Sequence, residues 1–444
     1  MERLELNDIQ GMLRGGYRNL PETSYLLLRV EDPAGARAWL RSLLQQHWID
    51  RAAETSASSR LHDDLGGGSI CFTADGLKAL GIGAETLRMF PSEFQEGMNA
   101  PHRARALGDV GASEPGRWSW GGSGEVHILL MLFASAGRIL RCVETIRAIP
   151  GFPRLLQEVR AVLQPREPFG FADGIANPDV EGLTPRKGRP ENTVKPGEFV
   201  LGYLDETGHR PASPTLALSA DPQEILLRTD GGRADLGRNG SYFVLRQLSQ
   251  NVEAYRAFVR DDPLRAARLV GRWESGAPLV RYDADPRPQR FNVEDDFAYH
   301  RNDRHGLRCP IGAHIRRANP RDSLAEQSGV TPEAAQKMAN LHRLLRRGRV
   351  YETQDEIGLM FGCLNANIER QFEFVQQSWL MNPDFGELRG ETDPLLGNCP
   401  AGKSRHLTLQ KPILRERMEG LTQFVTVRGG AYFFLPGLRA LDFL

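Results

Sequence analysis

Arg308 to Asp322 reads R-C-P-I-G-A-H-I-R-R-A-N-P-R-D, and the rest of the chain can be read outward from it. One histidine, His314, follows an apolar turn (Pro310, Ile311, Gly312, Ala313) and precedes three arginines, Arg316, Arg317 and Arg321. A histidine so placed can present one ring nitrogen to a metal while a neighbouring acceptor holds the other. The arginines can neutralise an anionic cofactor. The same residues also read as a core histidine beside a solvated basic loop, and local chemistry leaves both readings open.

At 444 residues the chain is long enough for two or three cores. Charged residues make up 25% and hydrophobic ones 40%, as in an ordinary soluble protein. Lys+Arg and Asp+Glu both number 56, so net charge argues for neither a nucleic-acid nor an anionic-membrane partner. The five cysteines (Cys71, Cys142, Cys309, Cys363, Cys399) are odd in number and form no C-x-x-C. They read as reduced thiols of a cytosolic protein. The opening M-E-R-L-E-L-N-D-I-Q-G has no apolar export core, and the longest apolar run, Val126 to Ala136, is too short to span a bilayer. A cytoplasmic location without membrane contact is the expectation.

The first half alternates strands and helices. Ser24 to Val30 has strand length and character, and Asp32-Pro33 opens a helix with Leu40, Leu43 and Leu44 on one face. Gly66 to Ser69 reads as a glycine loop leading into a strand at Ile70 to Phe72, followed by a helix over Thr73 to Leu80. Val126 to Phe133 is a strand and Gly137 to Ile149 a helix. Between Asn177 and Gly197 proline, glycine and charge accumulate, which marks a loop and a domain boundary. The second half repeats the pattern. Strands are expected at Ser241 to Leu245 and Ile357 to Asn365, and helices at Asn251 to Val259, Leu264 to Trp273 and Ile368 to Leu380. Phe424 to Val427 and Ala431 to Leu435 read as a hairpin around Arg428-Gly429-Gly430. Strands and helices repeated in this way suggest sheets with helices on one face.

Four segments could carry chemistry. In E-P-F-G-F-A-D-G, Glu167 to Gly174, apolar neighbours on a tight turn could keep the Asp173 carboxyl partly desolvated for proton transfer, although Asp-Gly is also an ordinary turn. His300, His305, Cys309 and His314 can be forced into a zinc spacing, but one cysteine in a charged, irregular run argues against it. L-H-R-L-L-R-R-G-R-V-Y, Leu341 to Tyr351, could turn one arginine inward to stabilise negative charge, or form a solvated helix end stopped by Gly348. The glycine runs at 66–68 and 121–124 match no phosphate-binding pattern and read as turns.

G-F-A-D-G at 170–174, A-H-I-R-R-A-N-P-R at 313–321 and L-L-R-R-G-R-V-Y at 344–351 together resemble the dye-decolorising haem peroxidases. N-D-I-Q-G at 7–11 and G-G-A-Y-F-F-L-P at 429–436 resemble the two ends of that family, so the likeness runs through nearly the whole chain. Its length is similar to that of the larger subfamilies. The resemblance implies two ferredoxin-like α+β domains, antiparallel sheets with helices packed on one face. Residues 1–190 would carry the distal aspartate and residues 191–444 the proximal histidine and distal arginine. One haem b per chain would lie between sheet and helices of the C-terminal domain.

Matched position by position, the resemblance makes His314 the proximal iron ligand, Asp173 the distal carboxylate and Arg346 the distal arginine, with adjacent Arg347 as the alternative. Asp393, in T-D-P-L-L-G, is the expected acceptor for the other ring nitrogen of His314, and Arg316 the expected propionate partner. Two departures stand out. His314 and Arg346 lie 32 positions apart, longer than in compact members, with the excess assigned to a loop at Ser323 to Glu333. Gly348 stands where those members carry asparagine, which removes a distal hydrogen bond or moves it elsewhere.

The implied partners are hydrogen peroxide and a bulky organic donor such as a dye or phenol, oxidised in one-electron steps, with no nucleic acid or membrane involved and a homo-oligomer possible. Asp173 would move the peroxide proton as an ionised base, which biases activity to acid pH. Arg346 would stabilise negative charge as the O–O bond breaks. Tyr351, Trp379 or Tyr432 would relay electrons from donors too large for the pocket, or simply pack in the core. The competing reading is a haem-binding protein that stores haem or mobilises its iron, which needs His314 but neither Asp173 nor Arg346. A structural or cargo protein with a vestigial pocket would bind no haem.

Overall fold

The computed structural model describes residues 3–54, 66–185, 192–286, 294–399 and 404–444. The first half supplies β1 (Glu22–Arg29), α1 (Pro33–Gln45), β2 (Gly67–Phe72), β3 (Ile128–Ala134), α2 (Ile139–Arg147) and β4 (Arg154–Val162). The second supplies β5 (Ser241–Gln250), α3 (Val252–Val259), α4 (Pro263–Val270), α5 (His314–Ala318), β6 (Arg349–Glu352), β7 (Ile357–Asn365) and β8 (Val425–Leu435). The strands lie side by side as β4-β1-β3-β2 and as β8-β5-β7-β6. Numbered within each half, both orders are 4-1-3-2, the antiparallel order of the ferredoxin-like α+β fold. The expected fold class is therefore the observed one. The boundary expected between residues 190 and 191 lies outside the described residues.

Two seams join the halves. β4 meets β6 at Val162–Val350 and Ala161–Tyr351, and β2 meets β8 at Phe72–Phe434. These pairings close the eight strands into a ring. Alternation along each strand then gives the ring an inside and an outside. Tyr25, Leu27, Leu129, Met131, Phe243 and Leu245 share one core, while Leu26, Leu28, Leu130 and Leu132 pack with Trp39, Leu40 and Ile146 from the helices. Every position of β3 is buried, which explains its unbroken apolar sequence.

The helix starts follow their caps. Asp32 accepts from the Ala34 amide, Asn251 from Ala254, and Asp262 from Leu264 and Arg265. α4 stops at Gly271, whose φ of 98° is left-handed.

Several sequence expectations are corrected. Gly67 and Gly68 belong to β2 and not to a loop: a Cβ at Gly67 would lie 1.8 Å from the Asp50 carboxylate, so glycine there admits a close neighbour. The expected 424–435 hairpin is one strand, β8, with a bulge between Val427 and Gly429 where the Trp120 indole lies against Gly429. β5 continues five residues beyond its expected end at Leu245, to Gln250. The segment 368–380 is helical but wide, with Glu373 N–H donating to Ile368 and Met381 N–H to Gln376, an i→i+5 spacing. Residues 323–333 are not all loop, since a short helix spans Ala325–Ser328 and another starts at Pro332. Gly348 does not stop a helix, because Leu345–Arg346 and Arg349–Glu352 on either side of it are strands.

At Gly358 a Cβ would fall 1.9 Å from the Leu248 carbonyl oxygen of the adjacent strand. Gly358→Ala is expected to cost about 1–3 kcal/mol by forcing β5 and β7 apart. Urea unfolding checks this, and an unchanged midpoint would show that the strands yield freely.

Candidate active site

A cavity of about 300 Å³ lies between the outer face of the second-half strands and the helices that cover it. That volume falls within the range of cofactor sites. Its sheet wall uses alternate residues: Arg246, Leu248 and Gln250 of β5, and Leu359 and Phe361 of β7. Its helical wall includes Val270 of α4, His314 and Ile315 of α5, and Val375 and Leu380 of the wide helix. Asp173 and Arg346 also line it. Three of the five expected site residues, Asp173, His314 and Arg346, therefore line the cavity, and Asp393 bonds to His314 from behind.

His314 enters from the helical side. Its Nδ1 lies 2.9 Å from Asp393 Oδ2, and an acceptor-only carboxylate places the proton on Nδ1, leaving Nε2 free. Asp393 is fully buried, and its Oδ1 accepts from the Leu395 and Leu396 amides at 3.0 and 2.8 Å. Burial acts to raise its pKa, but the charge and hydrogen bond of His314, the Leu396 amide and nearby Arg317 outweigh burial and hold it below the usual carboxylate value. Burial also pulls Arg317 down to about 10; its guanidinium is taken up by the Trp379, Asn382 and Glu391 carbonyls.

Arg346 enters from the sheet side, on a two-residue strand paired with β7. Its guanidinium donates to the Ile175 carbonyl and stands 4.0 Å from Asp173 Oδ1. Asn177 brackets its backbone, accepting from Arg346 N–H at 3.0 Å and reaching Arg346 O at 3.4 Å. That amide fixes the arginine in a site where position 348 is glycine. Arg347, the alternative, turns away to the Met12 and Leu13 carbonyls.

Asp173 stays partly open to solvent: its side chain is 38% exposed, while Phe169 and Phe171 pack with Tyr255 in the apolar cluster beside the cavity. Glu167 holds the turn. Its carboxylate accepts from the Phe169 and Phe171 amides, both at 2.9 Å, and from Gln250 Nε2 at 2.8 Å. Burial raises the Glu167 pKa against these hydrogen bonds. A glutamate shortly before a Phe-Gly-Phe turn is the signal that would have identified it.

Arg316 does not line this cavity. Its guanidinium donates to the Asp303, Arg304 and Cys309 carbonyls and lies over the Tyr299 ring, so the expected propionate role does not fit its position. Three other arginines line the cavity: Arg272, Arg321 and Arg343. Arg272 and Arg321 share one carboxylate oxygen, Asp295 Oδ1, at 2.6 and 2.5 Å. Arg343 donates to the Ala176 carbonyl and Asn192 Oδ1, and among the described residues no carboxylate bonds to it. Burial, then the charge of Arg321, brings its pKa down to about 10. Three guanidiniums against one bonded carboxylate leave two cationic charges in excess, a match for a dianionic ligand.

Among the described residues no group of three or more His, Cys, Asp or Glu side chains converges for a bare metal ion, which removes the zinc spacing. Tyr351, Trp379 and Tyr432 are 1%, 6% and 2% exposed, so core packing is their observed role and none of the three opens to the surface.

Glu167→Ala leaves two amides and one side-chain donor without their acceptor. It is expected to lower stability by about 1–3 kcal/mol, with Glu167→Gln recovering part of the loss. Denaturant midpoints of the three proteins decide this, and equal midpoints would show that water replaces the carboxylate.

No family model matches the sequence. Dye-decolorizing peroxidase msp1 of Mycetinis scorodonius is 29% identical over 99% of this chain and 87% of its own length. Multifunctional dye peroxidase DyP2 of an Amycolatopsis species is 35% identical over 50% of this chain and 53% of its own. An ancestral D-type dye decolorizing peroxidase of known structure superposes with a TM-score of 0.78 at 26% identity, over 99% of both chains. Over its full length the chain is thus similar in sequence and in fold to dye-decolorising peroxidases.

Proposed function

We propose that this protein is a peroxidase that reduces hydrogen peroxide and oxidises bulky organic donors, dyes and phenols among them, in one-electron steps with one haem b per chain. The observation that carries this reading is the cavity itself. An imidazole backed by a buried carboxylate enters it from the helices, and a carboxylate–guanidinium pair enters from the sheet side. The excess of two cationic charges among Arg272, Arg321 and Arg343 suits the two propionates of haem. The residues present therefore fit the group.

His314 would hold the haem through Nε2, with Asp393 fixing the ring and lending it anionic character. Haem supplies, when bound, a redox-active iron at which a peroxide O–O bond can be cleaved. Asp173 would take the proton from one peroxide oxygen and return it to the departing one. Arg346 stabilises the negative charge that builds on the departing oxygen, and its bond to the Ile175 carbonyl holds it for that task. The apolar side chains of β7 and of the wide helix limit water around this transfer.

The reading divides the chain into units at 1–190 and 191–444. The first brings Asp173, and the second brings His314 and Arg346. The scattered cysteines, odd in number and without a C-x-x-C, support a cytoplasmic setting. Among the described residues no helix is long and apolar enough to cross a membrane.

The absorption spectrum of purified, haem-supplemented protein, before and after one equivalent of peroxide, tests the reading. His314→Ala is expected to abolish the Soret band. Asp173→Asn and Arg346→Leu should keep it while slowing the reaction with peroxide by roughly 10²–10³-fold. A haem carrier without turnover would bind haem and be indifferent to both changes. Asp393→Asn is expected to raise the haem reduction potential, because His314 loses its anionic acceptor. Spectroelectrochemistry measures this, and an unchanged potential would remove Asp393 from the proposal.

A further inference from the structure

Two guanidiniums are tied to the backbone around Asp393. Arg317 comes from α5, three positions after His314, and is fully buried. It donates to the Trp379, Asn382 and Glu391 carbonyls. Arg405 is half-buried and opens the strand Arg405–Leu409. It donates to the Asp393 carbonyl at 2.6 Å and to the Pro394 and Thr422 carbonyls at 3.3 and 3.0 Å. Between them the two arginines hold residues 391, 393 and 394, the short run that carries the carboxylate behind His314.

Among the described residues neither arginine is hydrogen-bonded to a carboxylate. The Glu391 carboxylate, also buried nearby, is taken up by the Thr408 amide at 2.8 Å and the Thr408 hydroxyl, and it faces His406 at 3.4 Å. Backbone carbonyls fix a guanidinium in place, but they are neutral and do not cancel its charge. Although burial brings Arg317 down to about 10, it stays cationic at neutral pH. In a poorly polarisable interior such charges act over a longer range than they would in water.

The hydrogen bonds alone would make both residues part of the scaffold. Their charge adds a second effect. A carboxylate behind the histidine favours the oxidised form of the metal that the histidine holds, and so lowers its reduction potential. A cation held beside that carboxylate works in the opposite direction. Two of them tied to the same short run offset part of the Asp393 field while leaving its bond to His314 in place.

We propose that Arg317 and Arg405 are positioning residues that act through Asp393 and raise the reduction potential of the bound haem. The consequence is a wider donor range, since a stronger oxidant takes electrons from phenols and dyes that release them reluctantly. The inference rests on the haem reading of this site.

Spectroelectrochemistry of the full-length, haem-supplemented protein tests it. Arg317→Gln and Arg405→Gln are each expected to shift the ferric-to-ferrous ratio at a fixed potential about tenfold toward ferric, which is ~59 mV for a one-electron couple. Arg317→Lys and Arg405→Lys keep the charge and should stay near the wild-type potential. Arg405 lies on a hairpin, so its pair of variants supplies the test even if Arg317→Gln folds poorly. Arg349 is the control: it is buried, donates to the Gly16, Tyr17, Leu20 and Pro21 carbonyls, and does not line the cavity. Arg349→Gln should lower the melting temperature and leave the potential unmoved. Unchanged potentials in both glutamine variants would overturn the inference while the haem reading stands. So would lysine variants that shift as far as the glutamine ones, or an equal shift in Arg349→Gln. A wild-type protein without a Soret band would overturn the haem reading and this inference with it.

Discussion

The buried Asp393 carboxylate is the constraint on which the site depends. A fully enclosed anion is costly unless every lone pair is met. Here the backbone amides of Leu395 and Leu396 meet one oxygen and the His314 ring meets the other. The histidine is thereby fixed in ring orientation and tautomer by the need to satisfy its neighbour. Arg317, close by, is itself held by three backbone carbonyls, so the cationic side of the balance cannot drift either. The result is an imidazole that lines the cavity with its ring held from behind by Asp393.

The sheet provides the complementary constraint. Period-two alternation sends one set of β5 and β7 side chains into the ring and the other toward the cavity. The ring interior is filled by side chains, so a ligand can only lie outside it, under the helices. The Asp173 turn reaches that region from the first half of the chain, and Glu167 keeps its shape. The site is thus assembled from both halves, although its largest wall belongs to one.

Much of this was legible in the sequence because it rests on local pattern. β1, β3 and β7 are short apolar runs bounded by polar residues, and α1, α3 and α4 announce themselves through Asp32, Asn251 and Asp262. Asp173, His314, Arg346 and Asp393 could be matched to motifs because the spacing of a motif survives even when its surroundings do not. What failed was whatever depends on neighbours distant in sequence. Gly67, Gly68 and Gly429 look like turn residues, yet they lie in strands because Asp50, Trp48 or Trp120 comes too close for a Cβ. Arg316 and Arg321 are indistinguishable as letters. Only the fold shows that one is used up on backbone carbonyls while the other reaches the cavity. The i→i+5 winding of residues 369–380 has no signature in an amphipathic pattern.

The closure of the ring has a mechanical corollary. Within each half the strands pair over many residues, but the halves meet through two residue pairs at one seam and one at the other. Cohesion across the seams therefore comes chiefly from the shared apolar interior and not from backbone hydrogen bonds. Amides on the facing edges of β2, β4, β6 and β8 form the least protected rows of the sheet, where deuterium would enter first while the centres of both halves stay closed.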